Sequence, residues 1–521
     1  MLSSLLRLMP ASLSRDLPAS FVVFLVALPL CMGIAIASGV PPERGLITGI
    51  IGGIVVGLLA GSPLQVSGPA AGLAVIVFEF VREHGIDALA PVMILAGVLQ
   101  LVAGAVRVGG WFRAISPAVV HGMLAGIGVL IVLGQIHVLT DALPRASGLD
   151  NLIAIPAAFF DFVSGDHGNK PGAMMVGGAT IVAMLAWEKL RPARFKMLPG
   201  ALLGVVTGTL VAVVGGLSVK RVVVPENILA GLAMPSADAW ARLAEPTMIV
   251  MALTLAVIAS AESLLSAAAV DRMHDGPRTQ YNRELGAQGT GNILCGLCGG
   301  LPMTGVIVRS SANVQSGAAT RASAILHGVW ILAFLLALPQ VLTLVPTASL
   351  AGILVVTGWR LVGPHHAKHL HQRYGIATAA IWLITMVTVV TTDLLTGVLV
   401  GLGLSLLQVI PALLKGRLRV EGHAAQVEHA GGVAAVPEIR LSGSATFLQL
   451  PTLTEALERA PKEGRIRLAA HKLQHIDHTC LEMLHDWASR RSRTGAQVEV
   501  VGAPAFLQDR LAAAVHAPSV H

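Results

Sequence analysis

Between residues 21 and 414 the chain is a near-continuous succession of apolar stretches of membrane-crossing length, and nothing else limits its fold as strongly. A bilayer core offers no water, so each backbone amide must be satisfied within the protein and such stretches become packed helices. Of the whole sequence 54% is hydrophobic and 12% charged, which excludes a soluble enzyme. Glycine is abundant at 56 residues, which predicts close helix packing through small side chains.

Residues 1–20 read as a short amphipathic, cytoplasmic N-terminal segment with Arg7 and Arg15 on its polar side. The apolar run that follows has no small-residue cleavage site before it and reads as a mature span. Spans are expected over 21–37, 45–60, 70–81, 89–106, 116–139, 174–190 and 198–216. A second set is expected over 248–270, 285–297, from 305 onward, 322–338, 342–361, 376–391 and 394–414. The count is about fourteen, so residues 21–415 form one transmembrane transport domain. The 29–33 section is expected to kink or unwind at Pro29, and residues 141–172 read as a polar loop. With the N-terminus inside, Arg107, Arg113, Lys189, Arg191, Arg194 and Lys196 fall on cytoplasmic connections. So do Arg272, Arg278, Arg283, Arg360, Lys368 and Arg373, and then Lys415, Arg417 and Arg419 after the last span.

Two spans break the pattern. Residues 299–317 read GGLPMTGVIVRSSANVQSG, where the Gly-Gly-x-Pro run stops any preceding helix. Thr304, Arg309, Ser310, Ser311, Asn313, Gln315 and Ser316 follow. A guanidinium at mid-membrane depth is kept where it faces a protein or water cavity. The stretch therefore reads as an extended 301–304 segment and then a half-helix starting near Gly305 or Val306. Its free N–H groups and positive dipole end would point at an anion. The plainer reading is a polar kink that packs against neighbours, with Asn313 and Gln315 as interhelical hydrogen-bond partners.

Residues 62–69, SPLQVSGP, repeat the arrangement: an extended stretch leading into a short helix. Ser67 is placed as a hydroxyl cap with Pro69 in the first turn. The two interrupted elements lie about seven spans apart, hence in opposite orientation, which is the inverted-repeat pattern of a secondary transporter and points to its substrate site.

A second intramembrane charge is Glu262, with Ser266 one helical turn further on the same face. A carboxylate and a hydroxyl so placed can ligate Na⁺, or the carboxyl can carry a proton. A salt bridge between Glu262 and Arg309 is the structural alternative. The His-rich stretch 363–371 reads as a basic cytoplasmic loop rather than a metal site. Cys31, Cys295, Cys298 and Cys480 imply no disulfide framework, and the CxxC spacing of Cys295 and Cys298 reads as buried packing thiols. The net charge of +7 sits in loops without a basic–aromatic stripe, so no nucleic-acid partner is expected. No GxSxG, Walker A or zinc-hydrolase pattern is present, so the chain is expected to be neither an enzyme nor an ATP-driven pump.

Composition changes after Gly416. Residues 416–437 read as a linker and 438–521 as a small α/β domain. Strands are expected over 438–441, 466–469 and 498–501, and helices over 452–460, 479–490 and 505–514.

These residues resemble the SulP, or sulfate permease, family of anion transporters. The resemblance rests on Asp16-Leu-Pro-Ala-Ser20, Ser67-Gly-Pro-Ala70, Glu262 with Ser266, and the run from Arg309 through Thr320. The C-terminal part resembles a STAS domain, with Ile476-Asp-His-Thr-Cys-Leu-Glu482 as its strand-to-helix loop. The resemblance implies a polytopic α-helical membrane protein built as a seven-plus-seven inverted repeat. A core domain would move against a gate domain, in a dimer, with N-terminus and STAS domain cytoplasmic at a bacterial inner membrane. It places the anion near Ser67, Ala70, Ala71, Thr304, Gly305 and Val306, with Arg309 close by, and makes Glu262 and Ser266 the coupling-ion site. Leu30 stands where the family usually has a polar residue, which removes a direct hydrogen bond from span one. Thr479 lies near a loop position that is phosphorylatable in stand-alone relatives.

The 301–305 and 309–313 stretches look most like bacterial members linked with carbonic anhydrase. The expectation is therefore uptake of bicarbonate coupled to Na⁺ or H⁺, with no other cofactor and membrane lipid as surroundings. Sulfate or a dicarboxylate is the alternative within the same fold. A nucleobase permease and a non-transporting scaffold or sensor acting through the STAS domain are the readings from other classes.

Overall fold

The structure is a computed structural model that describes residues 11–109, 116–145, 147–164, 172–192, 195, 198–223, 235–274, 276–363, 375–414, 418–429, 432–446, 449–460, 464–493 and 497–502. The His-rich loop expected over 363–371, all but Gly363, lies outside them, as do the helix expected over 505–514 and the side chain of Thr479. Arg7, Arg113, Arg194, Lys196, Lys368, Arg373, Lys415 and Arg417 also lie outside them.

The membrane region begins with α1 (Ala11–Ala37) and α2 (Pro42–Leu59). It continues through strand β1 (Ser67–Pro69), a 3₁₀ turn (Ala71–Leu73), α3 (Ala74–His84) and α4 (Leu89–Ala105). Next come α5 (Pro117–Leu139), α6 (Gly148–Ser164), α7 (Gly172–Leu190) and α8 (Gly200–Val214). After the short α9 (Ala237–Arg242) follow α10 (Pro246–Arg272), α11 (Tyr281–Leu297), strand β2 (Met303–Gly305) and α12 (Ile307–Gln315). The region closes with α13 (Ala322–Ala337), α14 (Pro339–Leu342), α15 (Thr347–Val362), α16 (Ile376–Thr391) and α17 (Leu394–Leu414). Among the described residues 6 helices are long and apolar enough to cross a membrane, and shorter apolar helices such as α8, α13 and α15 accompany them.

Three elements differ from the sequence expectation. Helix α1 continues without a break through Pro18 and Pro29, where unwinding was expected over 29–33. Leu30 is buried, and Cys31 and Met32 belong to the core shared with Leu46, Ile331 and Leu350, so packing holds the turn that the missing proline amide weakens. Within α2 a π turn, Gly52–Val56, interrupts the α pattern, which no local signal announced. The expected loop 141–172 contains α6, whose Asn151 side chain donates to the carbonyls of Arg145 and Ser147 while Ile153 and Phe160 face outward. Its polar residues stitch the helix start and its apolar ones coat the outside, a mixture that reads as a loop when only mean polarity is considered.

Small-residue packing is direct between α4 and α11. A Cβ on Gly97 would fall 2.6 Å from the Gly289 carbonyl oxygen, so the two backbones touch.

The C-terminal domain is a 4-stranded sheet in the order β3-β4-β5-β6. It consists of β3 (Arg419–His429), β4 (Gly432–Ala445), β5 (Arg465–Ile476) and β6 (Gln497–Val501), with α18 (Leu450–Glu458) and α19 (His478–Arg493) packed on it. Strands β3 and β4 are antiparallel, and the two further pairings are parallel. The stretch 416–437, read above as a linker, thus supplies β3 and the start of β4. The core gathers Leu453, Leu457, Ile466, Leu468, Leu484 and Trp487, and Trp487 Nε1 donates to the Leu457 carbonyl at 3.0 Å.

Candidate functional site

Strands β1 and β2 form a ribbon of three antiparallel rungs in the middle of the helical unit: Ser67 opposite Gly305, Gly68 opposite Thr304, and Pro69 opposite Met303. The local sequence explains why helix fails here. Pro63, Pro69 and Pro302 lack amide hydrogens, and Gly299 at φ 72° turns the chain into the second strand. Extended backbone in a membrane interior must find partners, and each is supplied. The Ala70 amide donates to the Pro302 carbonyl at 3.2 Å and the Val306 amide to the Val66 carbonyl at 2.8 Å. The Met303 amide donates to Asn292 Oδ1 at 2.8 Å, and Asn292 Nδ2 donates back to the Met303 carbonyl at 3.1 Å. The Leu301 amide donates to Thr48 Oγ1, the Val66 amide to Ser310 Oγ and the Gly305 amide to Ser263 Oγ. Asp16 accepts from the Ala319 and Thr320 amides just after α12, which gives that part of the N-terminal motif its purpose.

Each strand runs into a half-helix. Ala70 leads into the 3₁₀ turn before α3, Val306 leads into α12, and neither end has a side-chain cap. The Gly72 amide is directed at the Glu262 carboxylate, the Leu73 amide at the Ala70 carbonyl and the Val306 amide at the Val66 carbonyl, which leaves the first-turn amides of Ala71, Ile307 and Val308 to serve an external acceptor. The sequence reading made Ser67 the cap of the first half-helix; instead Ser67 lies on the strand, and the helical turn begins only at Ala71. The reason is long-range pairing with β2, which a local cap pattern cannot register.

Rung partners on an antiparallel ribbon point to the same side and successive rungs alternate. On one face Gly68 and Thr304 meet Arg309: a Cβ on Gly68 would fall 2.1 Å from Arg309 Nη1. Arg309 is fully buried, and among the described residues no oxygen or nitrogen acceptor bonds its guanidinium, the Cys31 thiol being the polar group set against it. Its charge reaches Cys31 on α1 and His327 on α13. The Thr304 hydroxyl and His327 Nε2 are likewise buried without partners. On the other face Gln65 lies across Gly305, where a Cβ would fall 1.3 Å from the amide nitrogen, and Gln65 Nε2 donates to the Ser263 carbonyl. Ser67 Oγ accepts from Gln288 Nε2 at 2.8 Å on that side.

A buried, unpaired guanidinium costs several kcal/mol, of the order ~3–5, and a site that keeps one is poised for a negative charge. Ser67, Ala70, Thr304 and Gly305 are buried on or next to the ribbon, whereas Ala71 and Val306 are partly exposed at the two half-helix starts. Glu262 is not an ion-pair partner of Arg309. It faces the first turn before α3, with its carboxylate oxygens 3.0 and 3.2 Å from where a Cβ on Gly72 would stand, and its Oε2 has no hydrogen-bond partner. Ser266 is buried one turn along α10, but Ser263 is the α10 serine that touches the ribbon. Gly72 also lines a cleft shared with Val75, Ile76 and Glu79 of α3, Ile127 of α5, and Asp393.

Gln65, Ser263, Glu284, Gln288 and Asn292 were missed by the sequence reading. A signal existed: Glu284, Gln288 and Asn292 recur at helical spacing on one face of α11, a polar stripe inside a span.

Two uncapped half-helices that start from a common ribbon, over a buried arginine and within a bundle of apolar helices, define a membrane anion transporter. The chain belongs to the Sulfate permease family, whose model matches residues 13–385, and a STAS domain model matches residues 429–515. It is a transporter and not an enzyme. It is 29% identical over 505 residues, 94% of this chain and 91% of the relative, to the "Putative sulfate transporter YvdB" of Bacillus subtilis (strain 168). It is 25% identical over 399 residues, 74% of this chain and 68% of the relative, to the "Bicarbonate transporter BicA" of Picosynechococcus sp.. Among solved structures, the transmembrane domain of a cyanobacterium bicarbonate transporter BicA matches with TM-score 0.63 at 24% identity, covering 76% of this chain and 98% of that one. The murine Solute Carrier 26 family member A9 anion transporter, in the inward-facing state, matches with TM-score 0.63 at 15% identity, covering 97% of this chain and 88% of that one. These likenesses establish the fold.

Proposed function

We propose that this protein is a secondary active transporter that takes up a small inorganic oxyanion, bicarbonate first, coupled to Na⁺ or H⁺. The observation that carries this reading is the fully buried Arg309, which has no carboxylate partner among the described residues, beside two half-helix starts whose N-cap residues supply no side-chain cap. The open first-turn amides near Ala71 and Val306 would hold the anion, with Ser67, Ala70, Thr304 and Gly305 shaping the site and Arg309 supplying charge. Glu262, facing the Gly72 end of the same region and backed by Ser266, would carry the coupling cation. Cation and anion sites at opposite sides of one half-helix start would make their affinities linked. The full picture is about fourteen spans as a seven-plus-seven repeat in the bacterial inner membrane, with elevator-like motion of a core against a gate, a homodimer, and a cytoplasmic STAS domain.

Sulfate is the second reading, favoured by the relative that aligns over 94% of this chain and is named for sulfate. The deciding experiment is uptake of labelled bicarbonate and labelled sulfate into proteoliposomes under an imposed Na⁺ or H⁺ gradient. Bicarbonate accumulation that needs one gradient supports the first reading, and sulfate accumulation alone supports the second. Absence of both, in protein shown to be folded, overturns oxyanion uptake and favours a dicarboxylate or a scaffold role. Glu262→Gln is expected to abolish gradient-driven accumulation while anion binding persists; full accumulation by that variant removes Glu262 from coupling.

A further inference from the structure

The hydrogen-bond chain behind Ser67 has a defined direction. Glu284 is fully buried on α11, and its Oε2 accepts from the Gly61 amide at 2.8 Å and the Ser62 amide at 2.9 Å. Its Oε1 accepts from Gln288 Nε2 at 2.8 Å. With Glu284 a carboxylate that accepts and does not donate, the Gln288 side chain presents its nitrogen here and leaves its own Oε1 buried without a partner. The second hydrogen on that nitrogen goes to Ser67 Oγ, also at 2.8 Å. Ser67 is thereby an acceptor towards α11, and its own O–H must donate elsewhere. Among the described residues no protein acceptor receives it, and Ser67 itself is 4% exposed.

We infer that Gln288 is a positioning residue that sets substrate specificity: anchored by Glu284, it holds Ser67 as a one-way donor towards the bound anion. This rests on the anion-site reading above. The consequence is a filter on the oxygen that docks at Ser67. That oxygen has to accept a hydrogen bond, and a charged, unprotonated oxygen accepts the strongest one. Sulfate meets the condition with any of its oxygens. Bicarbonate meets it best through either unprotonated oxygen, with its O–H turned away from Ser67. A neutral hydroxyl oxygen at that point accepts only through its weaker lone pairs, so it is disfavoured against a charged oxygen.

The test uses the full-length protein in proteoliposomes and reads the half-saturating concentration of labelled bicarbonate and of labelled sulfate, whichever is transported. Ser67→Ala and Gln288→Leu are each expected to raise it about tenfold, the scale of one hydrogen bond to a charged group. Because Gln288 acts through Ser67, the double variant should be no worse than the worse single one. Gln288→Glu keeps the shape but offers Ser67 an acceptor, so the hydroxyl proton is captured and affinity should fall as in Gln288→Leu. That near-isosteric variant also serves if Gln288→Leu fails to fold, as judged by its elution and melting in detergent. Independent effects, about a hundredfold in the double variant, overturn the inference while leaving the anion site in place. So does unchanged affinity in Gln288→Glu. Unchanged affinity in Ser67→Ala overturns both the inference and the placement of the anion at Ser67.

Discussion

The two half-helices start from the same ribbon yet are built on opposite principles. Helix α12 reads IVRSSANVQ and its polar side chains are tied into the protein: Ser310 receives the Val66 amide, and Asn313 Nδ2 donates to the Leu64 carbonyl at 3.0 Å. Asn313 also accepts from Ser323 on α13. Helix α3 reads AVIVFEFVREH, and its residues Val75, Ile76 and Glu79 line the cleft instead of being bonded to neighbours across it. One half-helix is bolted down and carries the fixed charge; the other forms a wall of the open space. A substrate caught between them would be held by a rigid partner on one side and released by change on the other.

Substitutions can break this contrast. The largest effect is expected at Arg309. Arg309→Met removes the charge yet retains bulk, and anion uptake should fall at least about a hundredfold in the proteoliposome assay. Near wild-type uptake would show that the helix ends alone suffice. Gly68→Ala comes next, because its Cβ would collide with the guanidinium at 2.1 Å. A loss of about 1–3 kcal/mol in stability, read as an earlier thermal transition, should accompany weakened uptake. Asn313→Ala unbolts α12 and should cost about 1–2 kcal/mol while reducing maximal uptake more than affinity. Glu79→Gln on α3 should leave the melting transition within about 0.5 kcal/mol of wild type, since no comparable bond is lost. A destabilisation as large as that of Asn313→Ala would erase the distinction between the two half-helices.

The smallest effect is expected in the C-terminal domain. In the STAS domain burial, and then the nearby Asp477, pushes the Cys480 thiol well above its ordinary range. The folded domain therefore prefers the protonated thiol. Its contribution is fully present below the unfolded thiol pKa, near 9.0, and is lost as pH rises above it. Cys480→Ala should flatten the decline in the melting temperature of this domain between about pH 9 and pH 10.

The apolar runs made the spans legible, and the Gly-Gly-x-Pro and Ser-Gly-Pro breaks made both half-helices legible in outline. Arg309 was visible because a charge in such surroundings is rare. The role of Ser67 was not, because its strand exists only through pairing with residues far away in the chain. The same applies to β3, whose residues 419–429 carry no strong alternation and are strand because β4 folds back on them. Helix α6 was lost for the opposite reason, since its polar residues mask an apolar face from an averaged reading. Glu284 and Gln288 lay in plain view at helical spacing but were passed over beside the more conspicuous Glu262.

The ribbon also sets an order of events during synthesis. Strand β1 emerges from the ribosome long before its partner β2, so the backbone of Ser67–Pro69 waits in the membrane with its hydrogen-bonding groups unmet. A nascent chain that ends before Met303 can own most of its helices and still possess no binding site. The site therefore forms only once β2 has been made, which bars passage of ions before then and adds a long-range pairing of the kind that slows folding.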